Sequence, residues 1–481
     1  MEISAEEIVQ KCKNESEIAT DFSVEAKTIC KPKTTEQFPK FRSNDQVTDL
    51  IKTFVRNFTD QNKFYYEFLQ KFDFTQSDLT QEEFFELAKV LIADNDVYSH
   101  HKYDIGRTKQ KFNIPLIKDA QFKKQRPSKV PFHLRDKLEV LMDELIQAGI
   151  IRELDENDDM NSWFVNPIII LPKKDYVKQV IDARYSNSIT DTSNSSWPLE
   201  PLHVLITRVN GSYFTSSDLS CAYHQVPLTS DTQKLTGFII GGRQYTYQVG
   251  FYGLKPLPNF FSKLMRYAFG PLIKENKAIT YIDDTLLQAQ SKQEMFSTIK
   301  EYHSLLRKAN LKAAPDKTLF FLRKVKFLGH VISENTISPI VSRIDDIKNL
   351  KRPESKTDVL SVLGAMGFYS NYVLNFHVDA KPLYDLTRSE VNFKWEEQHE
   401  KVFNTLKEKF AHDISLAIPN PNYPFHIHAD SSNLGTGCIL IQQFPDRKRI
   451  VSANSRVFDK AEQKMSPQHR ELCGIISALQ T

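Results

Sequence analysis

The stretch 278–289, AITYIDDTLLQA, decides how this chain is read. Two apolar runs, Ala278–Ile282 and Thr285–Ala289, flank the adjacent carboxylates Asp283 and Asp284. Short apolar runs on either side of a polar break predict a β-hairpin whose turn holds both acids against an apolar body. Two carboxylates packed together repel, so such a pair persists mainly where a cation neutralises it. The letters alone carry little: Arg343-Ile344-Asp345-Asp346 repeats IDD inside a helical pattern, where it reads as an ordinary solvated face. A third carboxylate in matching context lifts the first pair above that reading. Asp218 ends the strand-like run Tyr213–Ser217 and starts DLSCAYHQVPL, where small residues let backbone approach a ligand. Aspartates on a strand end and a hairpin are the minimum set for two hard divalent cations, and Mg²⁺ prefers such oxygen donors. A pair of ions clamping the attacking and leaving oxygens performs phosphoryl transfer without a basic side chain.

Outward from the hairpin, helical spacing is expected at Pro131–Gly149, around Phe260–Met265, and at Glu294–Ala309, Ser342–Lys351 and Lys356–Phe376. Strands are expected at Phe164–Pro172, Gln179–Asp182, Tyr213–Asp218, Thr236–Ile240, Gln244–Val249, Thr318–Phe321 and Val325–Ile332. From Pro424 the pattern changes to HIHAD, GCILIQQ and RIVSANSRV, then a helix from Ser466: a small α/β unit behind the linker Pro419–Pro424. Residues 1–100 read as a separate, mostly helical region without evident chemistry, with Thr80-Gln-Glu-Glu83 as a capping box. Between 102 and 137, eleven Lys and Arg face three Asp. That run is a solvated linker or an arm along a phosphate backbone.

The whole chain bounds these readings. Its 481 residues suggest about three domains. With 40% apolar and 26% charged residues it can bury a large core. A net charge of only +3 excludes a uniformly basic histone-like binder, so nucleic-acid affinity has to come from local patches. Five scattered cysteines, with no CxxC pair, read as free thiols rather than a disulfide framework or a zinc site. No run approaches the ~18 apolar residues of a membrane helix, and MEISAEEIVQKCKNES lacks the apolar stretch of a signal peptide.

The blocks FTSSDLSCAYHQVPL, GFYGLKPLPNFFSKLM, TYIDDTLLQAQS and LFFLRKVKFLGHVIS occur in the order found in reverse transcriptases. With LMDELIQAGIIRE, NPIIILPKKD and VIDARYSNSIT upstream, residues 98–481 resemble the Pol polyprotein of a gypsy-type LTR retrotransposon of the Metaviridae. The resemblance implies an α+β fold: a right-hand polymerase of fingers, palm and thumb, then a truncated RNase H-like α/β domain. The boundaries it implies are fingers and palm at 101–335, thumb and connection at 336–420, and an incomplete RNase H-like part at 421–481. It makes Asp218, Asp283 and Asp284 the catalytic metal ligands, with the Leu219 carbonyl as a further one. Tyr223 falls at the steric gate for the sugar, Lys173 and Lys178 at the triphosphate (where the family usually has Arg at the second site), and Tyr252 at the nucleotide. Arg184, Gly253, Phe327, Leu328 and Gly329 fall at template and primer, and Pro256 replaces a more usual Asn. Asp430 and Glu471 resemble two of the carboxylates of retroelement RNase H.

The implied activity is RNA- and DNA-directed DNA synthesis from dNTPs with two Mg²⁺ ions, Mn²⁺ being the alternative. The implied partners are primed RNA or DNA template and a second copy or other Gag and Pol products, with no membrane. The implied place is a cytoplasmic particle, or the nucleus. With only Asp430 and Glu471 in its RNase H-like part, the chain is expected not to cleave RNA in a hybrid. The rival reading is a decayed or host-recruited element that binds nucleic acid without catalysis.

Overall fold

The computed structural model describes residues 40–480, apart from 59–61, 122, 159–162, 175, 194–199 and 412–414, so expectations for residues 1–39 lie outside it. The chain divides into two compact units between Arg323 and Lys324.

The first unit begins with helices α1 (Asn44–Phe58), α2 (Asn62–Leu69) and α3 (Gln81–Ala93). The capping box forms: the Thr80 hydroxyl accepts from the Glu83 N–H at 3.2 Å, and the Glu83 carboxylate accepts from the Thr80 N–H at 2.7 Å. Residues 40–100 are not a separate region. Phe54, Phe68, Phe74 and Leu87 are buried in the same core as Phe261, Phe269 and Phe320. The Phe74 ring stacks on Phe320 (centroids 6.2 Å apart), and the Asp78 N–H donates to the Phe321 carbonyl at 2.9 Å. A helical apolar face reveals that something covers it, not which distant strand does.

Next come α4 (Arg135–Gln147), stopped as expected by Gly149 at φ 61°, then β1 (Ile151–Glu153), β2 (Ile168–Pro172), β3 (Val177–Ile181) and β4 (Tyr213–Asp218). They are followed by β5 (Phe238–Ile240), β6 (Arg243–Tyr247), α5 (Leu257–Ala268), β7 (Ala278–Tyr281), β8 (Asp284–Ala289), α6 (Lys292–Ala309) and β9 (Leu319–Leu322). The sheet that positions the site is antiparallel, in the order β7-β8-β4-β9. Because β8 is an inner strand, Thr285–Ala289 are all buried, which explains the near-continuous apolar run. Its one long polar side chain, Gln288, is satisfied. It accepts from the Asn210 and Gly211 N–H groups and donates to the Arg208 and Asn276 carbonyls, all at 2.7–3.1 Å. Below the sheet, α6 starts at the Ser291 cap, ends at Asn310 (φ 53°) and buries Met295, Ile299, Tyr302 and Leu306.

The second unit holds β10 (Lys324–Phe327), β11 (His330–Ser333), β12 (Thr336–Pro339), α7 (Val341–Lys348), α8 (Lys356–Gly367) and α9 (Glu397–Ala411). It continues with β13 (Leu416–Ala417), β14 (Phe425–Ser431), β15 (Gly435–Gln443), β16 (Lys448–Val457) and α10 (Pro467–Gln480). Three sequence expectations are altered here. The run Val325–Ile332 is two strands, folded at Leu328 and Gly329, whose φ of 48° and 82° are both positive, as a tight hairpin turn requires. The helix expected over 356–376 ends at Gly367. The strands assigned to the palm up to 335 belong to the second unit, because β12 pairs with β13 from far along the chain. Ile347, Val359, Met366, Phe403 and Phe410 form the core between α7, α8 and α9. The stretches HIHAD, GCILIQQ and RIVSANSRV form the antiparallel sheet β14-β15-β16. Helix α10 lies so close to that sheet that a Cβ at Gly474 would sit 2.6 Å from the hydroxyls of Ser431 and Thr436.

Candidate active site

Pairing of β4 with β8 sets Asp218 directly opposite Asp284, and pairing of β7 with β8 sets Tyr281 opposite Asp284. Ile282 and Asp283 are therefore the turn of the predicted hairpin. Ile282 has φ 56°, a left-handed conformation that a β-branched residue adopts only under strain. Strain of this kind persists where the surroundings enforce it, and it concentrates at functional positions. Burial, reinforced by Asp283 and Asp218, pushes the Asp284 carboxyl up to about 6. Burial and the Asp218 charge push Asp283 up as well. Asp218 Oδ1 is buried without a hydrogen-bond partner, while Oδ2 receives the Lys317 ammonium at 2.6 Å. That bond raises the Lys317 pKa.

Lys317 is the cation of this site that sequence reasoning missed. It ends the short turn Pro315–Lys317 and follows Asp316, so in sequence it reads as a solvated loop charge. The turn is brought under Asp218 by backbone pairing: the Ala314 N–H donates to the Asp218 carbonyl at 2.8 Å and the Ser220 N–H to the Lys312 carbonyl at 3.0 Å. This Leu219–Ala313 bridge does not use the Leu219 carbonyl, which leaves it available as the predicted extra ligand.

Tyr223 and Tyr252 line the side of the cluster. Their rings meet edge to face at 5.0 Å, and Tyr223 also meets Phe261 at 5.6 Å. Burial, with Asp283 adding to it, pushes the Tyr223 hydroxyl up to about 12, and the same causes raise Tyr252. The Lys178 ammonium lies 5.1 Å from the centre of the half-exposed Tyr252 ring, so Lys178 reaches the site. Lys173 lies just past the end of β2. This exposed residue closes the β2–β3 turn through its N–H, which donates to the Tyr176 carbonyl at 2.9 Å. Arg184 is exposed and forked onto Asp182 at 2.6–3.2 Å. Gly253 has φ 108°, which calls for glycine, and is held by Asn187, a second residue sequence reasoning missed. The Asn187 amide donates to the Gly253 carbonyl at 2.8 Å and accepts from the Lys255 N–H at 2.9 Å.

The remaining predicted residues lie in the second unit. Phe327 is buried, and the Leu328–Gly329 turn is clamped by aromatic side chains. Tyr369 donates to the Gly329 carbonyl at 2.8 Å, and the Phe368 ring lies 3.2 Å from where a Gly329 Cβ would be. Asp430 on β14 and Glu471 on α10 are brought together: burial and the Asp430 charge raise Glu471, and Ser431 Oγ donates to the Arg470 carbonyl at 3.0 Å. Asp345 and Asp346 are exposed on α7, beside Lys348 and Arg343, as the solvated reading of that IDD expected.

Among the described residues, no three Asp, Glu, His or Cys side chains converge on one ion; in the first unit, Lys317 holds one Asp218 oxygen instead. The donors still suit a hard divalent cation. They are all carboxylate oxygens, one is buried and orphaned, and two of the acids are pushed toward the proton-bound form by their own crowding.

Residues 171–332 match the family model described as reverse transcriptase (RNA-dependent DNA polymerase), and residues 395–481 match an RNase H-like domain found in reverse transcriptase. Among curated relatives, the chain is 27% identical over 322 residues to the retrovirus-related Pol polyprotein from transposon 412 of Drosophila melanogaster, covering 65% of this chain and 26% of that one. To that from transposon opus of the same fly it is 27% identical, covering 73% and 36%, and to that from transposon 297 it is 26% identical, covering 86% and 39%. The chain thus spans well under half the length of these relatives. Among solved structures, it resembles foamy viral protease-reverse transcriptase in complex with double-stranded DNA. That match has TM-score 0.74 and 21% identity, and covers 93% of this chain and 74% of that one. The complex with RNA/DNA hybrid gives TM-score 0.69 at 21% identity, covering 93% and 57%. The fold is that of a reverse transcriptase polymerase followed by an RNase H-like domain.

Proposed function

We propose that this chain, which carries a reverse transcriptase domain followed by an RNase H-like domain as transposon Pol polyproteins do, copies RNA and DNA templates into DNA. The primer 3′ oxygen attacks the α-phosphorus of a dNTP, the bond to the bridging oxygen toward the β-phosphorus breaks, and pyrophosphate leaves. Mg²⁺ held by Asp218, Asp283 and Asp284 would supply the positive charge that stabilises the attacking and leaving oxygens. The protein's own part is positional. The β4–β8 register fixes two carboxylates opposite each other, the strained turn adds the third, and the Leu219 carbonyl stands beside them. Lys317 balances charge on Asp218 and has to share or release that oxygen when a metal ion enters. Tyr223 meets the sugar with its ring and excludes a 2′-OH, while Lys178 and Tyr252 receive the triphosphate side of the nucleotide. Asp430 and Glu471 are two carboxylates of an RNase H-like site, too few by themselves for this chain to cleave RNA in a hybrid, and the place of action is a cytoplasmic particle built with other Gag and Pol products.

The observation that supports this most is the pairing of Asp218 with Asp284 beside a strained turn. Purified chain, a primed RNA template, dNTPs and Mg²⁺ should give extension that EDTA abolishes. Primer left unextended with both Mg²⁺ and Mn²⁺ contradicts the reading.

A further inference from the structure

The stretch 218–228, DLSCAYHQVPL, holds one long polar side chain that is fully buried, that of Gln225. Its amide is satisfied by main chain. Nε2 donates to the Ser220 carbonyl at 2.7 Å and to the Lys312 carbonyl at 2.9 Å, while Oε1 accepts from the Lys312 N–H at 2.8 Å. The Ser220 N–H donates to that same Lys312 carbonyl at 3.0 Å. Both ends of the turn that carries Tyr223 are thereby fastened to one residue from far along the chain. A buried amide with its donors and acceptor engaged holds its partners to one arrangement, because each group left orphaned is costly.

A third segment closes on the same turn. The Thr108 N–H donates to the Gln225 carbonyl at 2.9 Å. A Cβ at Gly106 would fall 2.0 Å from the Asn310 carbonyl oxygen and 2.9 Å from Gln225 Oε1. Between them, half-buried Arg107 donates to the His224 carbonyl at 3.1 Å and to the Ala148 carbonyl, at the end of α4, at 3.0 Å. The His224 ring donates from Nδ1 to the Gly250 carbonyl at 2.8 Å. Cys221, two residues before Tyr223, is held at φ 46°, a conformation that persists only where the surroundings enforce it.

We propose that Gln225 is a positioning residue for sugar selection: it sets where the Tyr223 ring stands, and so how strongly a ribonucleotide is refused. The proposal rests on the reading of Tyr223 as the gate that excludes a 2′-OH. A ring that refuses one hydroxyl has to be closely placed, since a wall that yields admits the extra oxygen. The chain supplies its own comparison. Gln288 is likewise a buried amide bonded to main chain, but it lies among Arg208, Asn210, Gly211 and Asn276, toward the end of β8 away from Asp284.

The test is single-nucleotide primer extension by the full chain, giving specificity constants for an rNTP and its matching dNTP. Their ratio does not depend on the fraction of protein that is active. Gln225→Met should raise the rNTP to dNTP ratio several-fold. Arg107→Met, which frees the His224 carbonyl and leaves both glutamines in place, should raise it in the same direction. Gln288→Met should lower the melting temperature, as Gln225→Met does, and leave the ratio unchanged. In a Tyr223→Ala background, Gln225→Met should add nothing to the ratio, because the ring it places is gone. A parent-like ratio in Arg107→Met, or in Gln225→Met where that variant folds, overturns the proposal. So does an equal rise in Gln288→Met, or a rise that persists in full without the Tyr223 ring. Tyr223→Ala with the parent's ratio would instead contradict the gate itself.

Discussion

Burial, reinforced by Asp283 along the turn and Asp218 across the strand pair, lets the Asp284 carboxyl hold a proton up to about 6 instead of the ordinary 3.8. Between those two values the folded chain binds more protons than the unfolded one. In that window a rising pH removes stability, the reverse of an ion-paired acid. In EDTA, the melting temperature should therefore fall as pH rises through about 6. Asp284→Asn should flatten that limb and melt higher at neutral pH, as scanning fluorimetry would record; parallel curves would disprove the assignment. Tyr223 makes a second residue-scale test. Tyr223→Ala opens the space beside Asp283 that its ring fills, so the ratio of rNTP to dNTP specificity constants should rise by about tenfold or more. An equal fall for both nucleotides would mean a pocket wall with no gating role. The three aspartates stood out because each ends or begins a strand-like run. Lys317 and Asn187 did not, because their roles depend on backbone pairings that join turns distant in sequence.

Helix α6 shows what a periodic pattern reveals and what it hides. Spacing gave the helix and its buried stripe, but not that buried Tyr302 and His303 reach polar partners on other elements. The Tyr302 hydroxyl donates to Ser217 Oγ at 3.1 Å, and Ser217 lies beside Asp218 in the chain and opposite Thr285 in the sheet. Adjacent His303 joins Asp94 at 3.0 Å and Tyr98 at 2.7 Å, tying the same helix to the N-terminal helices. One element thus supports the strand that carries Asp218 from below and carries the region that sequence reading set apart. Tyr302→Phe removes one hydroxyl while Ser217 keeps Thr318 at 3.4 Å, so the stability cost should be about 1 kcal/mol. The expected signature is a several-fold lower kcat for extension with unchanged primer–template Kd. A matching loss of binding would assign Tyr302 to the fold alone. The turn at Leu328 and Gly329 was missed for a different reason: Phe-Leu-Gly reads as continuous strand until both positive φ angles are seen.

At the scale of the whole molecule, the class of fold was readable because the motif blocks keep their order over most of the chain. The division between units was not, since β13 adds to a sheet whose other strands lie far upstream, and local patterns carry no record of such pairing. A polymerase role for the first unit requires that the carboxylates of the Tyr281–Asp284 turn be chemical rather than structural. The most direct measurement is primer extension by Asp283→Asn beside Asp345→Asn, with template–primer binding followed in parallel. Both substitutions keep shape and remove one charge, and both lie in an IDD sequence, but Asp345 is exposed on α7. Asp283→Asn should lose extension by about a hundredfold or more while still binding template–primer, and Asp345→Asn should match the parent. Extension at the parent's rate by Asp283→Asn would contradict that role.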